Sequence, residues 1–342
     1  AIARPGMGLP RAEGAGWWER DLRLLHDPRP RPARITEYRL PDRPLRRALL
    51  IERQPLLILG ETGTLGRALA AECRLRDIPH VLVGRGRLDL CAPDTVRTAL
   101  DDLRPWAVIN AADWVRVDDA EADPEGCLAV NHRGAATLAA ACAERGIPTL
   151  NFSSDLVFDG ALDRAYHEAD QLNPLGSYGC SKAALERALA ELSGDHLVVR
   201  TAAFFSPSDR HNFAVHVLDA LAAGSEFAAA SDCRISPTYV PDLCRHSLDL
   251  LFDGAQGIWH LSSGEGLTWF ELAQRLADAA GLDPAPLQPK TCSEMGWRAP
   301  RPANSALTSH RGTLMPPLCT AAPKCESCRV PDCAGRRVSN AG

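Results

Sequence analysis

The chain has 342 residues, of which 45% are hydrophobic and 24% are charged, and its formal net charge is -5. This composition is typical of a globular protein with a full core, and the weak negative charge disfavours a nucleic-acid binder, which usually carries a basic face. No apolar run approaches the roughly 18 to 20 residues that span a bilayer, so we expect no membrane association.

The first 54 residues differ from the rest of the chain. A short helix is predicted around Trp17–Leu25, and the repeated prolines of His26–Ala33 disfavour both helix and central strand. The chain begins without methionine and without the layout of a signal peptide. We interpret residues 1–54 as a linker or as the remnant of an upstream domain; an extension packed on the main domain is an equal alternative.

From Pro55 onward, short apolar strands alternate with helices of ten or more residues, which is typical of an α/β protein with a doubly wound parallel sheet of the Rossmann type. Strands are predicted at Pro55–Leu59, His80–Val83, Trp106–Asn110, Thr149–Ser153 and His196–Arg200, and helices at Thr64–Arg76, Asp94–Leu103, Pro124–Arg145 and Ser177–Leu192. Beyond Arg200 the alternation loosens. Helical stretches are predicted near residues 212–223, 241–252 and 268–280.

This pattern divides the chain into regions. We expect an NAD(P)-binding Rossmann domain at residues 55–200 and a smaller C-terminal substrate-binding lobe at 201–315, interleaved with the core. Residues 316–342 are predicted to form an irregular, disordered tail, because they are rich in Pro, Arg, Ala and Gly and show no periodic apolar pattern.

A glycine-rich turn follows the first predicted strand and opens the first helix. Gly60, Gly63 and Gly66 have the spacing G-x-x-G-x-x-G. Glycine permits a tight turn and a close backbone approach to a pyrophosphate, and the amides at the helix N-terminus face its charge. The order of strand, glycines and helix therefore predicts a dinucleotide site, with a glycine turn that binds nothing as the alternative.

The second predicted strand ends at Val83-Gly84-Arg85, where an Asp or Glu usually holds the ribose 2′-hydroxyl group. Because that acid is absent, and because Arg85 or Arg87 can pair with a 2′-phosphate, the sequence favours NADPH over NADH. The alternative is that both arginines are solvated surface residues.

Three polar residues are predicted to carry the chemistry. Tyr178 and Lys182 have the Y-x-x-x-K spacing at the start of a predicted helix, which places both on one helical face. A nearby ammonium favours the phenolate, so Lys182 is expected to lower the pKa of Tyr178. Ser154, at the carboxyl end of a predicted strand, is placed to hydrogen-bond a reacting carbonyl group. For an isolated serine, a turn or cap would be the simpler interpretation.

A series of further motifs resembles the dTDP-4-dehydrorhamnose reductase family, a branch of the extended short-chain dehydrogenases, in order from about residue 55 to 310. The motifs are Asn110–Ala112, Val117–Glu121, Asn131, Ser153–Gly160, Asn173–Lys182, Arg200–Thr201, Asn212–Phe213, Ser236–Tyr239, Asp242–Leu243, Gly257–Leu261 and Arg301–Ser305. The resemblance implies that Tyr178 protonates the C4 oxygen of a sugar, that Lys182 holds the nicotinamide ribose, and that Ser154 replaces the family's Thr.

The resemblance also implies sets of binding residues. The cofactor set is Gly60, Gly63, Thr64, Leu65, Gly66, Arg85, Asp89, Leu90, Asn110, Ala111, Ala112, Asn131, Tyr178 and Lys182. The set for the nucleoside-diphosphate sugar is Asp155, Val157, Phe158, Arg200, Asn212, Ser236, Thr238, Tyr239, Arg301 and Asn304. Leu156 stands where the family commonly has Tyr, Ala203 where it usually has Trp, and Cys180 where a basic residue is frequent. These departures leave the identity of the sugar open.

The cysteines are interpreted by position. Eight of the 12, among them Cys233 and Cys292, are scattered through predicted regular elements, which favours reduced thiols in a cytoplasmic enzyme over a disulfide framework. The other four lie in the tail, at Cys319, Cys325, Cys328 and Cys333. Zinc sites of this kind usually pair two C-x-x-C units and only one is present, so we predict no metal site; the tail is disordered or out of frame.

The predicted function is reduction of the 4-keto group of a nucleoside-diphosphate deoxysugar, dTDP-4-dehydrorhamnose to dTDP-L-rhamnose. Two alternatives stay open: a related sugar-nucleotide reductase or epimerase, and a cofactor-bound regulatory subunit without catalysis. Ser154, Tyr178 and Lys182 together favour the enzyme. The resemblance leaves a homodimer open, and no residue here supports the magnesium described for some family members.

Overall fold

The computed structural model describes residues 54–206, 209 and 211–311. The predicted helix at Trp17–Leu25, the proline-rich segment, the predicted tail and its four cysteines lie outside these residues.

A six-stranded parallel sheet forms the centre of the molecule, in the order β2-β1-β3-β4-β5-β10. The predicted doubly wound fold is confirmed. The strands of the main sheet are β1 (Leu56–Leu59), β2 (His80–Val83), β3 (Ala107–Asn110), β4 (Thr149–Ser154), β5 (His196–Thr201) and β10 (Gly257–His260). The shorter strands are β6 (Phe204–Phe205), β7 (Phe227–Ala230), β8 (Arg234–Ile235), β9 (Thr238–Tyr239), β11 (Leu267–Thr268) and β12 (Leu287–Lys290).

The helices cover both faces of the sheet and build the second lobe. Those among the first five strands are α1 (Thr64–Leu75), α2 (Pro93–Leu103), α3 (Val117–Ala122), α4 (Pro124–Leu128), α5 (Ala135–Ala143) and α6 (Ser177–Glu191). Those further along the chain are α7 (Phe213–Ala222), α8 (Val240–Asp253) and α9 (Trp269–Ala280). Among the described residues, no helix is long and apolar enough to cross a bilayer.

The central strands are buried on both faces, because parallel strands are covered by helices on each side. In β1, Leu56 and Ile58 face the core beneath α1 and α8, whereas Leu57 and Leu59 face the core beneath α2 and α5. All four residues are at most 1% exposed. A continuous apolar run therefore specifies a central strand here.

The predicted helix from Pro124 to Arg145 is wrong as a single helix. The structure has α4, then a π-helical segment at Ala129–Gly134, then α5. The wider π turn carries Asn131 into the interior and brings Gly134 so close to Leu90 that a Cβ atom would collide with it. Periodicity did not reveal this, because every residue of the segment is compatible with an α-helix.

The second lobe has its own apolar core, made by α7, α9 and the short strands. Its strands β7 and β12 pair in parallel, and Cys233 and Cys292, which follow them, are joined in a disulfide. The prediction of reduced thiols is therefore wrong for this pair, since the pairing of two distant strands brings the sulfurs together. The described residues Cys73, Cys91, Cys127, Cys142, Cys180 and Cys244 are free.

Candidate active site

The strand order places a crevice between β1 and β3. The chain leaves β1 to form β2 on one side and returns to form β3 on the other. At such a switch point the loops after the two strands separate, and ligands of doubly wound sheets bind there. The loops after β1, β2 and β3 all border the crevice.

Two glycines shape the turn after β1. Gly60 has a φ of 102°, and a Cβ atom there would lie 2.5 Å from the carbonyl oxygen of Ala111. At Gly66 a Cβ atom would collide with the carbonyl group of Gly60. A side chain at either position would therefore push α1 away from the crevice and would close the space beside its N-terminus.

The crevice has a volume of about 620 Å³, which lies within the ordinary range of ligand pockets. Seven residues of the predicted cofactor set line it: Gly60, Gly63, Arg85, Asp89, Leu90, Ala111 and Ala112. Predicted residues for the adenosine end, the diphosphate and the path toward nicotinamide thus lie around one cavity.

Four other members of that set stand behind the wall: Leu65, Gly66, Asn110 and Asn131. Leu65 and Gly66 are buried in the packing of α1. Asn110 donates to the side chain of Asn151 and accepts from the amide of Ala112. Asn131 accepts from the amide of Trp114 at 2.7 Å and donates to its carbonyl oxygen. The two asparagines therefore hold the loop after β3 in place and do not lie on the cavity surface.

Glu61 is a pocket residue that sequence analysis missed. Its carboxylate lies beside Gly84, so that a Cβ atom on Gly84 would be 2.5 Å from a carboxylate oxygen. The crevice thus has an acid at the end of β2, although β2 itself does not supply one. The sequence offered one signal for this residue, a charged side chain inside the glycine motif. Only the fold brings Glu61 and Arg85 to the same crevice.

Ser154, Tyr178 and Lys182 meet at the carboxyl end of β4. Ser154 is the last residue of β4, and Tyr178 is the second residue of α6. Gly179 lets α6 approach, since a Cβ atom there would collide with the carbonyl oxygen of Leu156. The Ser154 hydroxyl hydrogen-bonds the Tyr178 phenol, and the Lys182 ammonium lies 5.9 Å from the centre of the Tyr178 ring.

Lys182 is held by two groups. Its side chain is 1% exposed, and its ammonium donates to the carbonyl oxygen of Phe152 at 2.9 Å and pairs with Asp113 at 2.6 Å. Asp113 follows β3 and lines the crevice. Sequence analysis missed Asp113, because it stands 69 positions before Lys182 and belongs to no motif.

The pKa of Tyr178 moves opposite to the prediction. Burial of the phenol raises its pKa well above the usual value, and the negative charges of Asp113 and Asp155 raise it further, while its hydrogen bond with Ser154 lowers it. Lys182 does not reverse the direction, because its charge is paired with Asp113. The prediction of a lowered pKa for Tyr178 is therefore wrong.

Most of the predicted substrate set is engaged within the protein. Asp155 accepts from the hydroxyls of Ser154 and Ser305, and burial raises its pKa. Arg200 pairs with Glu186 at 2.6 Å, with both side chains 3% exposed. These contacts hold the side chains of Asp155 and Arg200 in fixed positions behind the site.

The remaining members with internal contacts fall into two groups. Val157 and Phe158 are fully buried, and Tyr239 packs against Phe205. Four polar members form hydrogen bonds with described neighbours: Asn212, Ser236, Thr238 and Asn304.

Arg301 is the basic member of the set that stays near the surface. Its side chain is 18% exposed, pairs with Asp118 at 3.3 Å and stacks on Trp297 at 5.1 Å. Partial burial lowers its pKa, although Asp118 and Asp155 oppose this. An arginine held over an aromatic ring keeps a defined orientation, which suits recognition of an anion.

Comparison with known proteins identifies the family of the chain. The family model described as the RmlD substrate binding domain matches residues 54–315. A dTDP-4-dehydrorhamnose reductase of Streptomyces griseus is 34% identical over 261 residues, covering 75% of this chain and 86% of that protein. A dTDP-4-keto-6-deoxy-D-glucose reductase of Streptomyces niveus is 34% identical over 254 residues, covering 73% and 87%.

Solved structures show the same fold. The crystal structure of dTDP-4-dehydrorhamnose reductase from Bacillus anthracis in complex with NADP has a TM-score of 0.73 and 27% identity, and the match covers 78% of this chain and 95% of that chain. The family resemblance of the sequence is thereby confirmed. Because the matched region spans well over half of the chain, the protein belongs to the RmlD substrate binding domain family.

Proposed function

We propose that this protein is an NADPH-dependent oxidoreductase that reduces the 4-keto group of a dTDP-linked deoxysugar, in the conversion of dTDP-4-dehydrorhamnose to dTDP-L-rhamnose. The observation that carries the proposal is the convergence of Ser154, Tyr178 and Lys182 beside the crevice between β1 and β3. The relatives named above as reductases of dTDP-linked sugars support the substrate class.

The crevice fits a dinucleotide. Gly60 and Gly66 let the turn after β1 pack closely, because a Cβ atom at either position would collide with backbone, and Gly60 and Gly63 line the crevice before α1 begins. Arg85 lines the adenosine end, and Asp113 lines the end toward Lys182. The related reductase from Bacillus anthracis was crystallised with NADP, which supports NADPH as the reductant here.

The chain's own residues then supply the acid. When bound, the reduced dinucleotide provides the hydride that reaches the carbonyl carbon. Ser154, whose hydroxyl donates to Asp155, would turn this hydroxyl to the carbonyl oxygen and so polarise the bond. Tyr178 donates its proton to the same oxygen as negative charge develops there, and the product is the alcohol.

The raised pKa of Tyr178 matches this role. A phenol with a raised pKa remains protonated at neutral pH, so each encounter with a keto sugar begins with the acid in its working form. The developing alkoxide is a much stronger base than the phenolate and takes the proton. Lys182 then stabilises the phenolate that remains.

Two substitutions bear on the identity of the sugar. Leu156 and Ala203 stand where the family resemblance implies aromatic residues, and Ala203 has a φ of 40°, in the left-handed region. A smaller residue at each position is expected to change how the sugar is packed. A related sugar nucleotide with a bulkier or differently placed substituent is therefore the second candidate substrate.

The first experiment follows NADPH oxidation by the full chain with dTDP-4-dehydrorhamnose. Tyr178→Phe should lower kcat by about 100-fold or more, the usual contribution of a general acid, while NADPH still binds. Tyr166→Phe is the matched control, because Tyr166 donates to Asp159 and lies outside the proposed site.

The outcomes separate the candidates. Turnover that is lost in Tyr178→Phe and kept in Tyr166→Phe supports the proposal. Tight NADPH binding without turnover on this substrate rejects it in favour of another sugar nucleotide or a regulatory subunit. A protein that binds no dinucleotide rejects the oxidoreductase altogether.

Two sequence predictions accompany the proposal: a cytoplasmic location and a homodimer. Sedimentation analysis of the purified chain tests the homodimer, and fractionation of cells that express it tests the location.

A further inference from the structure

The ion pair between Asp113 and Lys182 is the starting observation. The two charged atoms are 2.6 Å apart, and the side chains are 12% and 1% exposed. A buried lysine without a carboxylate would be costly, but Asp113 does not merely neutralise it from the interior. Asp113 lines the crevice, so its carboxylate belongs to the ligand-facing wall.

Among the described residues, the partners of the pair use only part of its hydrogen-bonding capacity. An ammonium carries three N–H donors, and Lys182 directs two of them to Asp113 and the carbonyl oxygen of Phe152. An ionised carboxylate accepts about four hydrogen bonds, and Lys182 provides one of them. The pair therefore retains both a donor and several acceptor positions.

The position of the pair along the crevice identifies what meets it. Arg85 and Asp89, after β2, line one end of the crevice, and the glycines after β1 line its middle. Asp113, after β3, also lines the crevice. It contacts Lys182, which lies next to Tyr178. A dinucleotide with its diphosphate at the glycines places its second ribose at this third position.

A ribose offers two neighbouring hydroxyl groups, each of which both donates and accepts. A carboxylate is the usual acceptor for such hydroxyls in doubly wound folds, where an acid holds the adenosine ribose. Here an acid and an ammonium stand together, one to accept and one to donate. A diol that bridges them would satisfy both charges without breaking the pair.

We propose that Asp113 binds the nicotinamide ribose of the dinucleotide, acting with Lys182 as an acceptor–donor pair for its two hydroxyl groups. The inference deepens the proposed function and rests on its dinucleotide step, but not on the identity of the sugar. The role assigned to Asp113 is binding and orientation, since its contact is with the ribose and not with the reacting carbonyl group.

The test compares two probes on one variant. Calorimetric titrations of the full chain and of Asp113→Asn use NADPH and adenosine 2′,5′-bisphosphate, which carries the adenosine half without the second ribose. We expect Asp113→Asn to weaken NADPH binding about tenfold, as for one lost hydrogen bond to a charged group, and to leave binding of the bisphosphate unchanged.

A matched control comes from the next helix. Asp119 on α3 is 54% exposed and pairs with Arg116 at the surface, so Asp119→Asn should bind both probes as the unchanged chain does. Asp113→Glu serves as a second variant, because it keeps a charge for Lys182 while moving the carboxylate by one methylene. It should fold and should again weaken NADPH only.

Each result decides the inference. Equal weakening of both probes would show a general distortion of the crevice, and unchanged or tighter NADPH binding would show that Asp113 makes no contact with the ribose; either overturns the inference and leaves the proposed reaction standing. Selective weakening in a protein that does not reduce the keto sugar would support the inference while rejecting the substrate. Failure of the unchanged chain to bind NADPH and NADH would overturn both.

Discussion

The carboxylate of Asp209 accepts a hydrogen bond of 2.8 Å from the hydroxyl of Thr64, the first residue of α1. Asn212 holds the Asp209 carbonyl oxygen at 2.6 Å, so the acid is anchored from the second lobe. A negative charge thus lies at the helix N-terminus where the dinucleotide diphosphate is expected. We expect a bound diphosphate to compete with this carboxylate for the N-terminus of α1.

Asp209→Asn should therefore strengthen NADPH binding, by about three- to fivefold for a charge at a helix terminus. Titration with NADPH measures the change. Asp219→Asn, at an exposed site on α7, is the control and should have no effect. Weaker binding in Asp209→Asn would mean that the carboxylate assists the cofactor.

Glu61 is expected to act on cofactor preference. Its carboxylate lies beside Gly84 at the end of β2, close to where a 2′-phosphate would meet Arg85. Repulsion between the two anions opposes NADPH and leaves NADH unaffected. Glu61→Gln should improve the ratio of NADPH to NADH affinity by about three- to tenfold.

The measurement is a pair of titrations with NADPH and NADH at low and at physiological salt. The gain should shrink as salt rises, because screening weakens the repulsion. Glu125→Gln, with a carboxylate 77% exposed on α4, controls for net charge. Equal changes for both cofactors would contradict a role in discrimination.

Asp113 should also influence the pH dependence of reduction. Its negative charge raises the pKa of Tyr178, and the acid works only while protonated, so activity is lost as pH rises through that pKa. Removing the charge lowers the pKa and moves the alkaline limb of the kcat profile to lower pH. The groups around the phenol are Asp113, Asp155, Cys127, Ser154 and Lys182.

For Asp113→Asn we expect a shift of about one pH unit, the lower end of the effect of a close charge. The kcat profile from neutral to alkaline pH measures it. Asp119→Asn should keep the original profile. A uniform loss of rate at every pH would indicate disturbed packing and would contradict an electrostatic effect on Tyr178.

The disulfide between Cys233 and Cys292 should stabilise the second lobe. It closes a loop with a sequence separation of 59 residues, for which chain entropy allows up to about 4 kcal/mol in the free energy of unfolding. Reductant should lower the thermal midpoint of the unchanged chain, whereas Cys233→Ser should unfold at the lower midpoint in either condition.

Cys91→Ser is the control, because Cys91 is exposed and free; it should respond to reductant as the unchanged chain does. If the thermal midpoint of the chain without substitutions is the same with and without reductant, the result contradicts a stabilising disulfide.

The sequence by itself determined the central sheet and the order of its motifs. Apolar runs such as Leu56–Leu59 fit a strand buried on both faces, and the glycine at 66 has a local steric reason, its contact with Gly60. The Y-x-x-x-K spacing fixed the relative position of Tyr178 and Lys182, because both lie on one helix. Such features depend on neighbours within a few residues.

Only the tertiary structure decided what surrounds these groups. Three acids reach their partners from other loops: Asp113 contacts Lys182, Glu61 contacts Gly84, and Asp209 contacts Thr64. The sequence around each partner does not predict the contact. Burial and long-range charge depend on the packing of distant segments. The direction of the Tyr178 pKa was therefore predicted wrongly from the helix alone and follows only from the assembled site.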